Sequence, residues 1–289
     1  MTRPRDLPAL RFTDPDAVRS SLAARPRFAP PADPGARVLL LAADHPARGA
    51  LGAGADPTAM GDRFELLRRL VVALGRPGVT GFVGTADLVE DLTLLGALDG
   101  KLVLGSMNRG GLAGASFELD DRFTGYDAAG IAAAGLDGGK MLLRLDLDDA
   151  GSLATLEASA RAVDALAARD LVALVEPFLV GRGEGGLRTD LGTDAVVRSV
   201  AIASGLASTT RRTWLKVPLA ADMERVASAT TLPLLVLGGE VPEDLDATME
   251  SWRAALELPS VRGFVIGRSL LYPPGGDVAA AVDEVVGML

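Results

Sequence analysis

Four ionisable residues stand in otherwise apolar, strand-like runs: Asp44 in LLLAADHPARG, Lys140 in GLDGGKMLLRLD, Glu176 in LVALVEPFLVG and Lys216 in RTWLKVPL. Burying any of them without a partner is costly. Singly, each reads equally well as a strand-end residue that reaches solvent or a neighbour. Together, two lysines and two carboxylates are what imine chemistry requires. An amine attacks a carbonyl only when neutral, and at the usual pKa of about 10.4 only about one lysine in a few thousand is neutral at pH 7. An apolar strand and a second ammonium both lower that value. Both conditions favour Lys216, between Leu215 and Val217, as the nucleophile, with Lys140 two strands away. Dehydrating the carbinolamine then needs a proton donor, and breaking the carbon–carbon bond needs a base on the neighbouring hydroxyl. Glu176 and Asp44 are the candidates, and their local sequence does not divide the roles between them.

The elements that must position these side chains alternate regularly. Strand-like runs fall at Val38–Ala43, Val79–Val83, Leu102–Gly105, Met141–Leu145, Leu171–Val175, Thr213–Val217, Leu234–Leu237 and Gly263–Ile266, eight in all. Helical stretches separate them, including Asp62–Leu74, Leu153–Arg169, Asp194–Ala207, Pro242–Leu256 and Val278–Leu289. Eight strand-then-helix repeats predict an α/β fold of the (β/α)8 TIM-barrel type over residues 37–289, within the usual span of about 250 residues. Residues 1–36, rich in Pro and Arg, are expected to form an N-terminal extension packed on the barrel, with a short helix between Pro15 and Pro26. Capping chemistry is expected around Gly192, Thr193 and Asp194, and Pro242 at a first turn.

In a barrel the chemistry lies where strands end and the following loops begin. Gly238, Gly239, Gly267 and Arg268 follow the seventh and eighth runs, where backbone amides and a guanidinium can gather a phosphate; turn punctuation is the plainer alternative. The loop SMNRGGL offers Asn108 and Arg109 for substrate contact or is simply a surface loop. His45 is expected to face away from Asp44 for as long as the extended geometry lasts, because side chains alternate along a strand, and a bland role stands level with a role in the site. Trp214 is expected on the barrel's outer face. Lys140 comes early in its run, so the alternative of a lysine low in the barrel paired with Asp137 stands beside the catalytic one.

The ordered set resembles the class I aldolases built on barrels, most closely the tagatose-bisphosphate aldolase branch. The matching positions are Asp44, Lys140, Glu176-Pro177, Leu215-Lys216-Val217, Gly238-Gly239 and Gly267-Arg268, spread over residues 37–272. The resemblance implies that Lys216 forms a Schiff base, Glu176 acts as acid and base around it, Lys140 tunes the site and Asp44 handles the proton of the cleaved hydroxyl. The loops after the first four strands depart from that branch. The chain also resembles a group of actinobacterial barrel proteins associated with inositol catabolism, in which 6-phospho-5-dehydro-2-deoxy-gluconate is split into dihydroxyacetone phosphate and malonic semialdehyde. On that reading Arg48, Arg109 and Arg144 recognise a carboxylate. Deoxyribose phosphate or a ketose bisphosphate is the alternative substrate, and a magnesium-dependent lyase or a non-catalytic sugar-phosphate-binding protein the alternative function.

Composition removes other chemistries. The chain has no cysteine and a single histidine, His45, which excludes thiolate nucleophiles, disulfides and His-rich zinc sites. The expectation is no cofactor and no bound metal, although an all-carboxylate magnesium site is compatible with the composition. A net charge of −9 argues against a nucleic-acid partner. With no signal-like N-terminus and no long apolar run, a cytoplasmic protein, free of membranes and assembled as a homo-oligomer, is expected. GAGAD (52–56) lacks the spacing of a nucleotide-binding loop.

Overall fold

The structure, a computed structural model, describes residues 2–183, 186–241 and 245–289. Its strands are β1 (Val38–Ala42), β2 (Gly81–Gly84), β3 (Leu102–Ser106), β4 (Gly138–Leu145), β5 (Val172–Gly183), β6 (Gly186–Asp190), β7 (Thr213–Val217), β8 (Leu234–Leu237) and β9 (Val261–Ile266). The helices are α1 (Leu7–Thr13), α2 (Asp16–Ala24), α3 (Arg63–Leu74), α4 (Ala86–Leu94), α5 (Ala128–Ala133), α6 (Gly151–Ala167), α7 (Thr193–Ser204), α8 (Met223–Ser228), α9 (Leu245–Leu256), α10 (Arg268–Leu271) and α11 (Val278–Val286). All strands but β6 pair in parallel in the order β4-β3-β2-β1-β9-β8-β7-β5, and a β4–β5 pairing closes the ring. This is a (β/α)8 barrel. Among the described residues no helix is long and apolar enough to cross a membrane.

The two-residue period of the strands sorts side chains into two cores. Leu39, Leu41, Met141, Leu143, Val175, Leu215 and Val217 face outward into the apolar layer shared with the helices. Leu40, Ala42, Val83, Leu104, Leu174, Leu235 and Val265 fill the interior. Trp214 packs against that interior cluster, which corrects the expectation of an outer-face residue: two positions from Lys216, it must share its face. With Phe28, Val38 and Leu235 it lines a cavity of about 430 Å³ among residues that begin the strands, at the opposite end from the one where barrels do chemistry.

Two features were not expected. β5 runs on past the barrel rim to Gly183 and turns back as β6, with Leu179 opposite Asp190 and Gly181 opposite Arg188, an antiparallel arm. The N-terminal segment holds two helices rather than one, and Arg11 of α1 reaches Glu90 at 2.9 Å and Asp91 at 2.7 Å on α4. Arg25, after α2, is buried and donates to the carbonyls of Leu98, Lys101 and Gly135, so the extension is tied to the loops beneath the barrel. Helix α7 is capped by Gly192 without a side-chain bond; Asp194, expected to cap it, lies in the first turn and pairs with Arg225 at 2.8 Å. The expected role of Pro242 lies outside the described residues.

Candidate active site

Barrel stagger brings Lys140 to the site. β4 begins at Gly138, three residues before the run expected from the sequence, and Lys140 pairs in register with Ser106, the last residue of β3. A lysine early in its own strand is thus level with the end of its neighbour. Its ammonium meets Glu176 Oε2 and lies 3.2 Å from Asp44 Oδ2. Asp137, the alternative partner, instead accepts from the Val103 amide at 2.7 Å.

On the other side of β5, Glu176 Oε1 lies 2.6 Å from the Lys216 ammonium. Asp44 Oδ2 accepts from Ser106 Oγ at 2.9 Å and from Lys140, and also pairs with the Arg109 guanidinium. The four expected residues therefore form one linked cluster, each less than a tenth exposed. Burial alone would raise the Glu176 carboxyl, but Lys140, Lys216 and Arg109 override it and hold it well below the ordinary carboxylate range. Burial pushes Lys216 down, opposed by Glu176 and assisted by Arg109 and Arg268. Lys140 is lowered too, by burial and then by Arg109, whose own guanidinium burial brings down to about 10.

A cavity of about 470 Å³ opens onto Lys216 and Glu176. Asp44 and Lys140 are not on its wall. Asp44 is fully buried, with Oδ2 shared by several donors and Oδ1 without a hydrogen-bond partner among the described residues, and its position off the cavity wall lends no support to the expected transfer of the substrate hydroxyl proton to it.

Among the residues expected to contact substrate, Arg48, Arg109 and Arg144 line the cavity. Arg109 is engaged by Asp44. Arg144 grips Asp121 through two bonds of 2.9 and 2.6 Å and reaches the Glu118 carbonyl, pinning the long loop between β3 and α5. Arg48 is the least committed, 3.7 Å from Glu118. Asn108 is corrected outright: it is buried, donates to the Leu142 carbonyl at 2.6 Å and accepts from the Leu142 amide at 2.7 Å, so its side chain serves β4 and not a ligand.

Gly238, Gly239, Gly267 and Arg268 also line the cavity. The glycines have backbone reasons of their own. A Cβ on Gly267 would strike the Ala42 carbonyl, and Gly239 sits at φ +67°. The charge that can draw a phosphate is Arg268, 2.6 Å from the largely exposed Glu240.

Sequence reasoning missed several contributors to the wall. Phe178, Leu187 and Leu191 come from the β5–β6 arm and the residue after it, Glu118 from the β3–α5 loop, and His45 from the end of β1. Pro46 biases the residue before it toward extended backbone, and alternation then aims His45 away. The chain instead turns helical at His45, with φ −62° and ψ −41°, and the alternation argument no longer applies.

A buried lysine–carboxylate–lysine cluster at the C-terminal mouth of a closed barrel defines the class: a (β/α)8 barrel with two lysines bridged by one carboxylate where barrel strands end. The chain belongs to the Cgl0159-like family, whose profile matches residues 36–286. Cgl0159 from Corynebacterium glutamicum is 49% identical, with a TM-score of 0.95 over 98% of this chain and 95% of that one. A Schiff-base-forming fructose-1,6-bisphosphate aldolase shares the fold at a TM-score of 0.68 and 16% identity, over 94% of this chain and 99% of its own. An archaeal fructose-1,6-bisphosphate aldolase, seen with its catalytic lysine bound to the carbinolamine intermediate, does so at 0.64 and 17%, over 93% and 100%. No curated protein matches the chain.

Proposed function

We propose that this protein is a metal-independent class I aldolase that cleaves a phosphorylated keto-sugar or sugar acid through a Schiff base on Lys216. The observation that carries the reading is Glu176 held between the Lys216 and Lys140 ammonium groups beneath a solvent-reachable cavity. A purely structural buried cluster has no need of a cavity over one of its lysines.

The cluster accounts for the proton movements of imine formation. Lys216 attacks the substrate ketone as the neutral amine, which its burial favours. While Lys216 is neutral, Glu176 loses one of the two ammonium charges that depress it and becomes the stronger base. It then carries a proton to the carbinolamine oxygen, water leaves, and the iminium restores the lost positive charge. Lys140, out of reach of the cavity, keeps Glu176 oriented through both changes.

Arg48, the least committed of the three arginines, and Arg268 suit a substrate anionic at both ends. Among such substrates, 6-phospho-5-dehydro-2-deoxy-gluconate, giving dihydroxyacetone phosphate and malonic semialdehyde, fits a phosphate beside Arg268 and a carboxylate near Arg48. A ketose bisphosphate or deoxyribose phosphate would leave Arg48 facing a different end group. The test is borohydride reduction with dihydroxyacetone phosphate, followed by peptide mass analysis. The adduct is expected on Lys216, absent from Lys216→Met, with chelator leaving activity unchanged. An adduct elsewhere, or activity lost to chelator and restored by added metal, defeats the proposal.

A further inference from the structure

Imine chemistry on Lys216 leaves one proton without a carrier. Cleavage requires a base for the hydroxyl β to the imine carbon, and the enamine that remains must be reprotonated on carbon. Asp44 is off the cavity wall, and once the iminium has restored the second positive charge beside it, Glu176 is again a weakened base. Proton transfer in enzymes falls to His, Asp, Glu, Lys, Tyr and Cys. The chain has no Cys, and neither of its two tyrosines lines the cavity. Glu118 on the wall is shared between Arg48 at 3.7 Å and Arg144 at 3.9 Å, and Glu240 is paired with Arg268 at 2.6 Å.

His45 remains. It lines the same cavity as Lys216 and Glu176. Its Nδ1 is buried and has no hydrogen-bond partner among the described residues, an unusual state for a buried polar atom. A Cβ built on Gly267 would lie 3.2 Å from His45 Cε1, which sets the ring at the β1–β9 seam beside the turn that carries Arg268. We propose that His45 is the general acid–base group of the carbon–carbon cleavage step. The assignment rests on Lys216 forming the imine.

In that step the neutral imidazole takes the hydroxyl proton. The hydroxyl oxygen forms the aldehyde carbonyl, the carbon–carbon bond breaks, and its electron pair passes into the iminium to give an enamine on Lys216. The imidazolium returns the proton to the enamine carbon. Water then hydrolyses the iminium, releasing the ketone product and the free lysine. Burial first, then Arg268, Lys216 and Lys140, keep the ring in its neutral form against the pull of Glu176. The free enzyme thus presents a base, and the same cations favour prompt return of the proton.

The experiment compares wild type, His45→Gln and His45→Asn, each checked for an unchanged melting transition. Borohydride trapping of dihydroxyacetone phosphate on Lys216 is read beside solvent deuterium exchange into that ketone, followed by NMR. Trapping is expected to persist within about twofold while exchange and kcat fall by about 10²-fold or more, the usual scale of a lost acid–base group, with KM little changed. Wild-type exchange in either folded variant overturns the assignment. So does a KM increase with exchange intact, which would make His45 a phosphate ligand. Loss of trapping in the variants alone would move it to imine formation and also overturn the proposal. Failure of the wild type to trap the ketone overturns the aldolase reading, and this assignment with it, and is recognised by its independence of His45.

Discussion

Glu176 divides its two oxygens between two lysines, Oε1 to Lys216 at 2.6 Å and Oε2 to Lys140. The parallel register sets this up. Leu174 pairs with both Lys140 on β4 and Trp214 on β7, so Glu176, two residues on, rises between Lys140 and Lys216 on the same inward face. Glu176→Gln keeps the shape and removes the charge. Turnover is expected to fall by about 10²-fold or more, with a much smaller change in substrate affinity. A steady-state kcat near wild type would make the carboxylate a structural counter-ion only.

The same placement makes stability depend on acid. A carboxyl held below its ordinary value binds protons more weakly in the folded chain than in the unfolded one, so unfolding takes up protons and acid promotes it. The stabilisation is complete above the unfolded value of about 4.3 and is lost as the pH falls toward the depressed folded value of Glu176. Wild type is therefore expected to melt above Glu176→Gln at neutral pH, with the gap narrowing below about pH 5. A gap that stays constant from about pH 7 to 3 would show that Glu176 carries no linked proton.

Arg144 offers a test of loop anchoring against ligand binding. Its paired bonds to Asp121 are buried, and charge-assisted bonds of this kind contribute roughly 1.5–3 kcal/mol. A double-mutant cycle with Arg144→Ala and Asp121→Ala is expected to return a coupling of at least about 1 kcal/mol by denaturant unfolding. Both single variants should impair activity alike by loosening the β3–α5 loop. If only Arg144→Ala raises KM while Asp121→Ala behaves as wild type, Arg144 contacts substrate directly.

The strand pattern was legible because each barrel strand is short, apolar and bounded by Gly, Pro or charge, and all eight strand-like runs of the sequence lie on barrel strands. The inward pairing of Lys140, Glu176 and Lys216 was legible because an ionisable residue inside an apolar run has few other places to go. What alternation along single strands did not carry was register between strands. Height in the barrel depends on stagger, which put Lys140 beside Asp44 and took Asp44 off the cavity wall. His45 reaches the cavity wall because a local turn cancels the two-residue period. Asn108 was misjudged because a polar residue in a Gly-rich loop gives no sign that its amide closes on the backbone of β4. The β5–β6 arm carries alternating residues too polar and too exposed to stand out as strand.

The proposed phosphate capture rests on Arg268, because the glycines around it are already required by close packing and by a left-handed turn. In the free protein its guanidinium pairs with Glu240, which is about three-quarters exposed, a weak partner that a dianion can displace. Arg268→Ala is expected to lower kcat/KM for a phosphorylated substrate by about 10- to 150-fold, the equivalent of roughly 1.5–3 kcal/mol for a charge-assisted bond. With a dephosphorylated analogue, wild type and variant should be almost equally poor, since the group that Arg268 binds is missing. Glu240→Gln, which frees the guanidinium, should leave the phosphorylated reaction unimpaired or lower its KM. An equal loss on both substrates in Arg268→Ala would mean that the residue supports the barrel mouth itself, and the phosphate would have to be bound by other groups on the cavity wall.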